Sequence, residues 1–209
     1  MSLVINSYLF GIYTWRKVQS PRNWTGIAMS SDGTKQSAVA NGNQIYTSTD
    51  SGVTWTARDS NRFWREIAMS SDGTKQTAAV YNNGQIYTSI DSGVTWTARD
   101  SNRSWYGIAM SSDGTKQSAV VNNGQIYTST DSGVTWTARD SNRAWRAIAM
   151  SSDGTKQTAV ANGGQIYTST DSGVTWTARD SNRAWFRIAM SSDGTKQSAA
   201  VSNGQIYTS

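Results

Sequence analysis

One phrase, repeated at a nearly fixed interval, constrains this chain more than any other feature. Trp24, Trp64, Trp105, Trp145 and Trp185 each open a segment reading W-x-x-I-A-M-S-S-D-G-T-K-Q-[ST]-A, at spacings of 40, 41, 40 and 40 residues. The one additional residue falls beside Tyr81. A period of about 40 residues fits a propeller blade or a pair of stacked helices, and local pattern decides between them. Each unit carries Ser-Asp-Gly, an Asn-Gly, Gly-Gly or similar turn, and Asp-Ser-Gly, with short runs of Ile, Val, Tyr, Thr and Trp between. Such closely spaced turns leave no room for helices, and the intervening residues favour strands.

In the first unit the pattern predicts strand A over Trp24–Ser30, B over Gln36–Ala40, C over Gln44–Ser48 and D over Val53–Arg58. The Asn-Gly turn between B and C suits a tight hairpin, whose central residues need positive φ. Asp59–Phe63 then leads into the next unit. Four antiparallel strands in tandem predict an all-β chain, a five-bladed β-propeller of four-stranded blades. The expected blades are residues 24–63, 64–104, 105–144, 145–184, and 185–209 completed by 1–23. Trp15 precedes Trp24 by nine residues, as Trp55 precedes Trp64. Thr14-Trp15 thus aligns with Thr54-Trp55, and the N-terminal segment is expected to supply the outer strand of the C-terminal blade and close the ring.

The octapeptide Ser48–Trp55 reads S-x-D-x-G-x-T-W and recurs at Ser89–Trp96, Ser129–Trp136 and Ser169–Trp176. It resembles the Asp-box, or bacterial neuraminidase repeat, of sialidases, sortilin-type receptors and photosystem II assembly factors. That resemblance implies a propeller with the box at the C–D hairpin of each blade. The residue types suit a turn: Asp accepts backbone N–H bonds, Gly permits positive φ, and Trp covers the hairpin. Asp50, Gly52 and Trp55, Asp91, Gly93 and Trp96, Asp131, Gly133 and Trp136, and Asp171, Gly173 and Trp176 are thus expected to be structural. One carboxylate per turn is too few for a calcium site.

Composition removes several chemistries. Cys and His are absent, so disulfides, thiol nucleophiles, zinc sites and histidine acid–base catalysis are excluded. Glu66 is the sole glutamate. Sialidases, as a family, combine an arginine cluster, a tyrosine nucleophile with its glutamate partner, and an acidic general acid. Here the aspartates sit at repeated turn positions and no FRIP-like motif occurs. The sequence therefore predicts a protein that is not an enzyme and carries no cofactor or metal. No transmembrane segment or signal peptide is evident, since the apolar stretch Leu3–Phe10 is short and interrupted.

Differences among units point to a binding surface. The units vary around the leading Trp, as in Arg65-Glu66, Tyr106-Gly107, Arg146-Ala147 and Phe186-Arg187, and at the B–C turn. In an up-and-down blade these positions and the D–A linkers share one face. That face also gathers most of the arginines behind the net charge of +5, so it should attract anions. Candidate ligand-binding residues are Arg62, Arg65, Tyr81, Arg103, Tyr106, Arg143, Arg146, Arg183, Phe186 and Arg187. Pairing of the linker arginines with their aspartates is the competing, purely structural role. Arginine beside aromatic rings suits acidic glycans, and a lectin-like module with five similar sites would gain avidity. An anionic protein surface is the alternative partner, with oligomerisation through the apolar N-terminus. A repeat-amplified or engineered scaffold without an evolved ligand is a further alternative. No recognition motif for specific nucleic acid binding appears.

Overall fold

A computed structural model of the chain describes residues 15–209. The described residues are all-β, with thirteen antiparallel strands. They are β1 (Trp24–Met29), β2 (Gln36–Ser48), β3 (Thr56–Met69), β4 (Gln76–Val80), β5 (Gly84–Ser89), β6 (Thr97–Arg103) and β7 (Trp105–Met110). These continue as β8 (Gln117–Ser129), β9 (Thr137–Met150), β10 (Gln157–Ser169), β11 (Thr177–Met190), β12 (Gln197–Val201) and β13 (Ile206–Thr208). Two hydrogen-bonded series result, β1 to β6 and β7 to β13, each strand pairing with its sequence neighbour.

The strands are longer than the turn signals predict. B, the Asn-Gly turn and C form the single bent strand β2, with register shifts at Asn41/Asn43 and Asn43/Ile45. D, the linker and the next A likewise form β3, β9 and β11. Asp59, Asp140 and Asp180 take positive φ inside these strands, turning the chain from one ladder into the next without a loop. Strand D starts at Thr56, not Val53. The preceding residues instead satisfy the octapeptide turn. The Ser48 hydroxyl donates to Asp50 (2.8 Å) and accepts from the Gly52 N–H (2.9 Å). Asp50 accepts from the N–H and hydroxyl of Thr54 (2.8 and 2.6 Å), and the Trp55 indole N–H donates to the Gly52 carbonyl (3.0 Å). The three later copies repeat this pattern.

The core lies between units. Trp64, Trp105, Trp145 and Trp185 are buried and pack against the Val, Ile and Ala of the preceding unit's inner strands. Three polar ties recur at each of these four junctions. A Ser or Thr hydroxyl donates to a glutamine side-chain carbonyl, as from Ser37 to Gln76 and from Thr77 to Gln117 (both 2.7 Å). A lysine Nζ reaches the next turn's carbonyl, as from Lys35 to Asp72 (2.9 Å). Backbone bonds also link the A–B turns from Ser31 N–H to Ser71 C=O through to Ser152 N–H to Ser192 C=O.

The first and last units end this series with apolar faces uncovered by the described residues. Trp24 is 37% exposed and Ile27 63%, whereas their copies Trp64 and Ile67 are buried. Ile206 is 74% exposed, against none for Ile45. The outer strand expected from the N-terminal segment is not formed by described residues: Trp15 is wholly exposed and residues 15–23 form no strand. Its earlier part, with Leu3–Phe10, lies outside the described residues.

Candidate functional site

The predicted site residues separate into two groups. Arg62, Arg103, Arg143 and Arg183 belong to a stack present in every unit. The Arg62 guanidinium lies 4.4 Å from the Tyr87 ring and 5.9 Å from Trp64, and pairs with Asp59 at 3.3 Å. Trp64 meets Tyr87 edge-on at 5.2 Å. Arg103, Arg143 and Arg183 repeat the stack on Tyr127, Tyr167 and Tyr207, each paired with the aspartate three residues before it. Arg22 occupies the equivalent place over Tyr46 at 4.4 Å. This geometry pairs Arg62, Arg103, Arg143 and Arg183 with a carboxylate and sets each against a tyrosine of the following inner strand.

The second group, at the starts of successive A strands, adjoins the mouth of a channel between units. A bulge at the start of each strand A turns the residue after the leading Trp toward the next unit. Thr25 thereby donates to the Trp64 carbonyl (2.9 Å). At the same position in the following units stand Arg65, Tyr106, Arg146 and Phe186, and three of them touch in sequence. The Tyr106 ring lies 4.4 Å from the Arg65 guanidinium and 4.8 Å from that of Arg146, which also donates to the Tyr106 hydroxyl. Tyr81 packs edge-on against Tyr106 at 5.4 Å. Arg187 lies 5.3 Å from the Phe186 ring.

One residue further on, the chain lines the channel itself, a space of about 200 Å³ bounded in part by Glu66, Gly107, Ala147 and Arg187. Gly26 and Gly107 are closely approached by the next unit. A Cβ on Gly107 would come within 3.3 Å of the Ala147 Cα, and one on Gly26 within 3.1 Å of the Glu66 carboxylate. Glu66 reaches Arg187, 121 positions away, at 3.5 Å. Burial pushes the Glu66 carboxyl above its usual range, and the arginine charge only partly offsets that. Among the described residues, Arg65 and Arg146 form no salt bridge. The mouth therefore presents guanidinium donors beside an aromatic ring, with three arginines against one carboxylate.

The turn carboxylates do different work. Asp32 is held at about 2 by the Ser30 hydroxyl and the Thr34 N–H, and Asp50 at about 2 by the Thr54 hydroxyl and N–H. Each is saturated by its own turn. Sequence reasoning did not single out Asn61, Asn82, Asn83 and Asn102, which line a separate cavity with Phe63 on the same face. The available signal was Phe63 itself, aromatic where the other units carry Asn23, Ser104, Ala144 and Ala184.

No protein-family model matches the chain, and no curated protein does. Among solved structures it is similar to the GH74 enzyme of Niastella koreensis, with TM-score 0.70, 25% identity, and coverage of 92% of this chain and 31% of that one. It is also similar to YCF48 bound to D1 peptide, with TM-score 0.67, 18% identity, and coverage of 90% and 65%. A third similar structure is the GH74 xyloglucanase of Xanthomonas campestris, with TM-score 0.68, 13% identity, and coverage of 87% and 36%. The fold is a β-propeller. The propeller described here spans about a third of each GH74 chain and just under two thirds of YCF48.

Proposed function

We propose that this propeller is a non-catalytic, lectin-like module that binds acidic glycans at the channel mouth. The observation that carries the reading is Tyr106 set between Arg65 and Arg146, neither of them in a salt bridge. A guanidinium offers forked donors that match a carboxylate, sulfate or phosphate, and an adjacent ring offers a face to sugar C–H groups. The absence of catalysis rests on acid supply. Glycoside hydrolysis ordinarily needs two carboxyl groups across the bond, and Glu66 is the only glutamate and faces Arg187.

The same proposal includes the complete architecture: five blades, four-stranded in plan, with Asp-box turns at the C–D hairpins. Chain residues ahead of Trp24 complete the last blade and close the seam. Support comes from the repeat spacing and from the apolar faces left at Trp24, Ile27 and Ile206. An anionic peptide is the competing ligand, favoured by the likeness to a propeller bound to a peptide.

Calorimetric titration with tetragalacturonate, a heparin tetrasaccharide and an acidic peptide tests this reading. Binding of an acidic saccharide, weakened about tenfold or more by Arg146→Ala, is expected for loss of a charged hydrogen bond. Binding of the peptide alone, or of none of the three, overturns it.

A further inference from the structure

We infer that the rim of the second unit holds a separate subsite for a neutral sugar residue, built from Phe63 and a ring of asparagine amides. This rests on the lectin-like reading above and adds a subsite of different chemistry. In a chain of near-identical units, the places where one unit departs from the rest are the places to look. Among the departures of the second unit, Phe63 replaces a small or polar residue before the leading Trp, and Tyr81 is inserted after strand B. These two meet in space. The Tyr81 N–H donates to the Phe63 carbonyl at 2.9 Å.

The hairpin carrying the insertion is open: β4 ends at Val80 and β5 begins at Gly84, whereas β2, β8 and β10 run unbroken through the same position and only the terminal pair β12 and β13 is also interrupted. Asn82 and Asn83 bridge the gap at φ of 64° and 61°, a conformation asparagine adopts more readily than most residues. A cavity of about 380 Å³ results, lined in part by Phe63, Asn61, Asn82, Asn83 and Asn102. That volume lies within the roughly 300–1,000 Å³ usual for small-molecule sites.

Chemistry then selects the ligand. All four asparagines are exposed, and each amide offers both donors and an acceptor, as sugar hydroxyls require. Phe63 is 49% exposed and so keeps ring surface free for a sugar's C–H face. The one cation in the wall, Arg62, is neutralised by Asp59 at 3.3 Å and laid against Tyr87. A carboxylate gains nothing here that the channel mouth does not offer better. Tyr81 stands between the two places, its ring on Tyr106 and its backbone on Phe63.

The experiment uses the full chain against a panel of neutral oligosaccharides: β1,4-glucan, xyloglucan, galactan, mannan and N-acetylglucosamine tetramers. Affinity is measured by titration for the wild type, Phe63→Ala and Arg146→Ala. Alanine is already present at the equivalent Ala144 and Ala184, so Phe63→Ala is compatible with the fold. We expect at least one neutral oligosaccharide to bind, with affinity falling about tenfold in Phe63→Ala and unchanged in Arg146→Ala. Deletion of Tyr81, which restores the 40-residue period, should abolish that binding. The subsite is overturned if no neutral saccharide binds, or if Phe63→Ala binds as the wild type does. Failure of acidic saccharides alone overturns the channel-mouth reading and leaves this result standing.

Discussion

Glu66 is an acidic side chain lining the channel. It is largely buried, and burial outweighs the attraction of Arg187, so its folded pKa lies above the usual 4.5. A raised carboxyl contributes stability that is present below the unfolded pKa and is lost as pH rises through the folded value. At pH 7 the ionised side chain therefore costs stability. Glu66→Gln keeps the shape without the charge, and should raise Tm by about 1–3 °C at pH 7 for a chain of this length. The gain should vanish below pH 4.5, where the wild-type carboxyl is also neutral; calorimetry across this pH range checks both signs. The same substitution removes the only carboxylate paired with the mouth arginines. Affinity for an acidic saccharide should then rise severalfold, as a titration would show.

The octapeptide turn is a self-contained element, and its behaviour follows from its hydrogen bonds. Asp131 is pushed up by desolvation, yet bonds from the Thr135 hydroxyl and N–H, Ser129 and Val134 together bring it to about 2. Asp32, Asp50, Asp72, Asp113, Asp171 and Asp193 are also held at about 2, chiefly by neighbouring hydroxyl and N–H donors. A lowered carboxyl stabilises the fold above its unfolded pKa and loses that contribution as pH falls through the folded value. Stability should accordingly decline between about pH 4 and pH 2, on one face of the molecule in every unit, and circular dichroism would follow it. Asp131→Ala should cost about 1 kcal/mol, as other lost turn bonds do, and leave saccharide affinity unchanged because the arginines occupy the opposite face. The turns were legible in the sequence because their side chains bond locally. Strand ends were not: whether Val53–Trp55 joins a ladder depends on Asp50 capturing the Thr54 N–H first. Nor could the linker strands be read, since positive φ at Asp59 and its copies is imposed by stacking between units.

At the scale of the molecule, the repeat revealed the propeller, because the fold depends on spacing alone. Which arginines remain available did not follow from spacing. Arg62 and Arg65 are three positions apart, yet the first is stacked and paired while the second faces the channel mouth. The seam is the remaining whole-molecule question, and the four intact junctions say what closing it entails. Each buries a Trp and an inner-strand side chain and adds a hydroxyl–glutamine bond and a lysine–carbonyl bond. Ile27 and Ile67 are the same position in successive units, one 63% exposed and one buried. On an open seam, Ile27→Asp would be a surface change within about 0.5 kcal/mol of neutral. In a closed ring it would place a carboxylate in an apolar junction and cost several kcal/mol, as Ile67→Asp must. We expect the closed outcome in the full chain, with both substitutions lowering Tm by about 10 °C or more. Removing residues 1–15 should destabilise the wild type and make it indifferent to Ile27→Asp, because the face is then uncovered. Light scattering separates the other way of covering that face: a full-length chain that is a dimer, with a Tm that rises with concentration, would place a second copy at the seam in place of its own N-terminal segment.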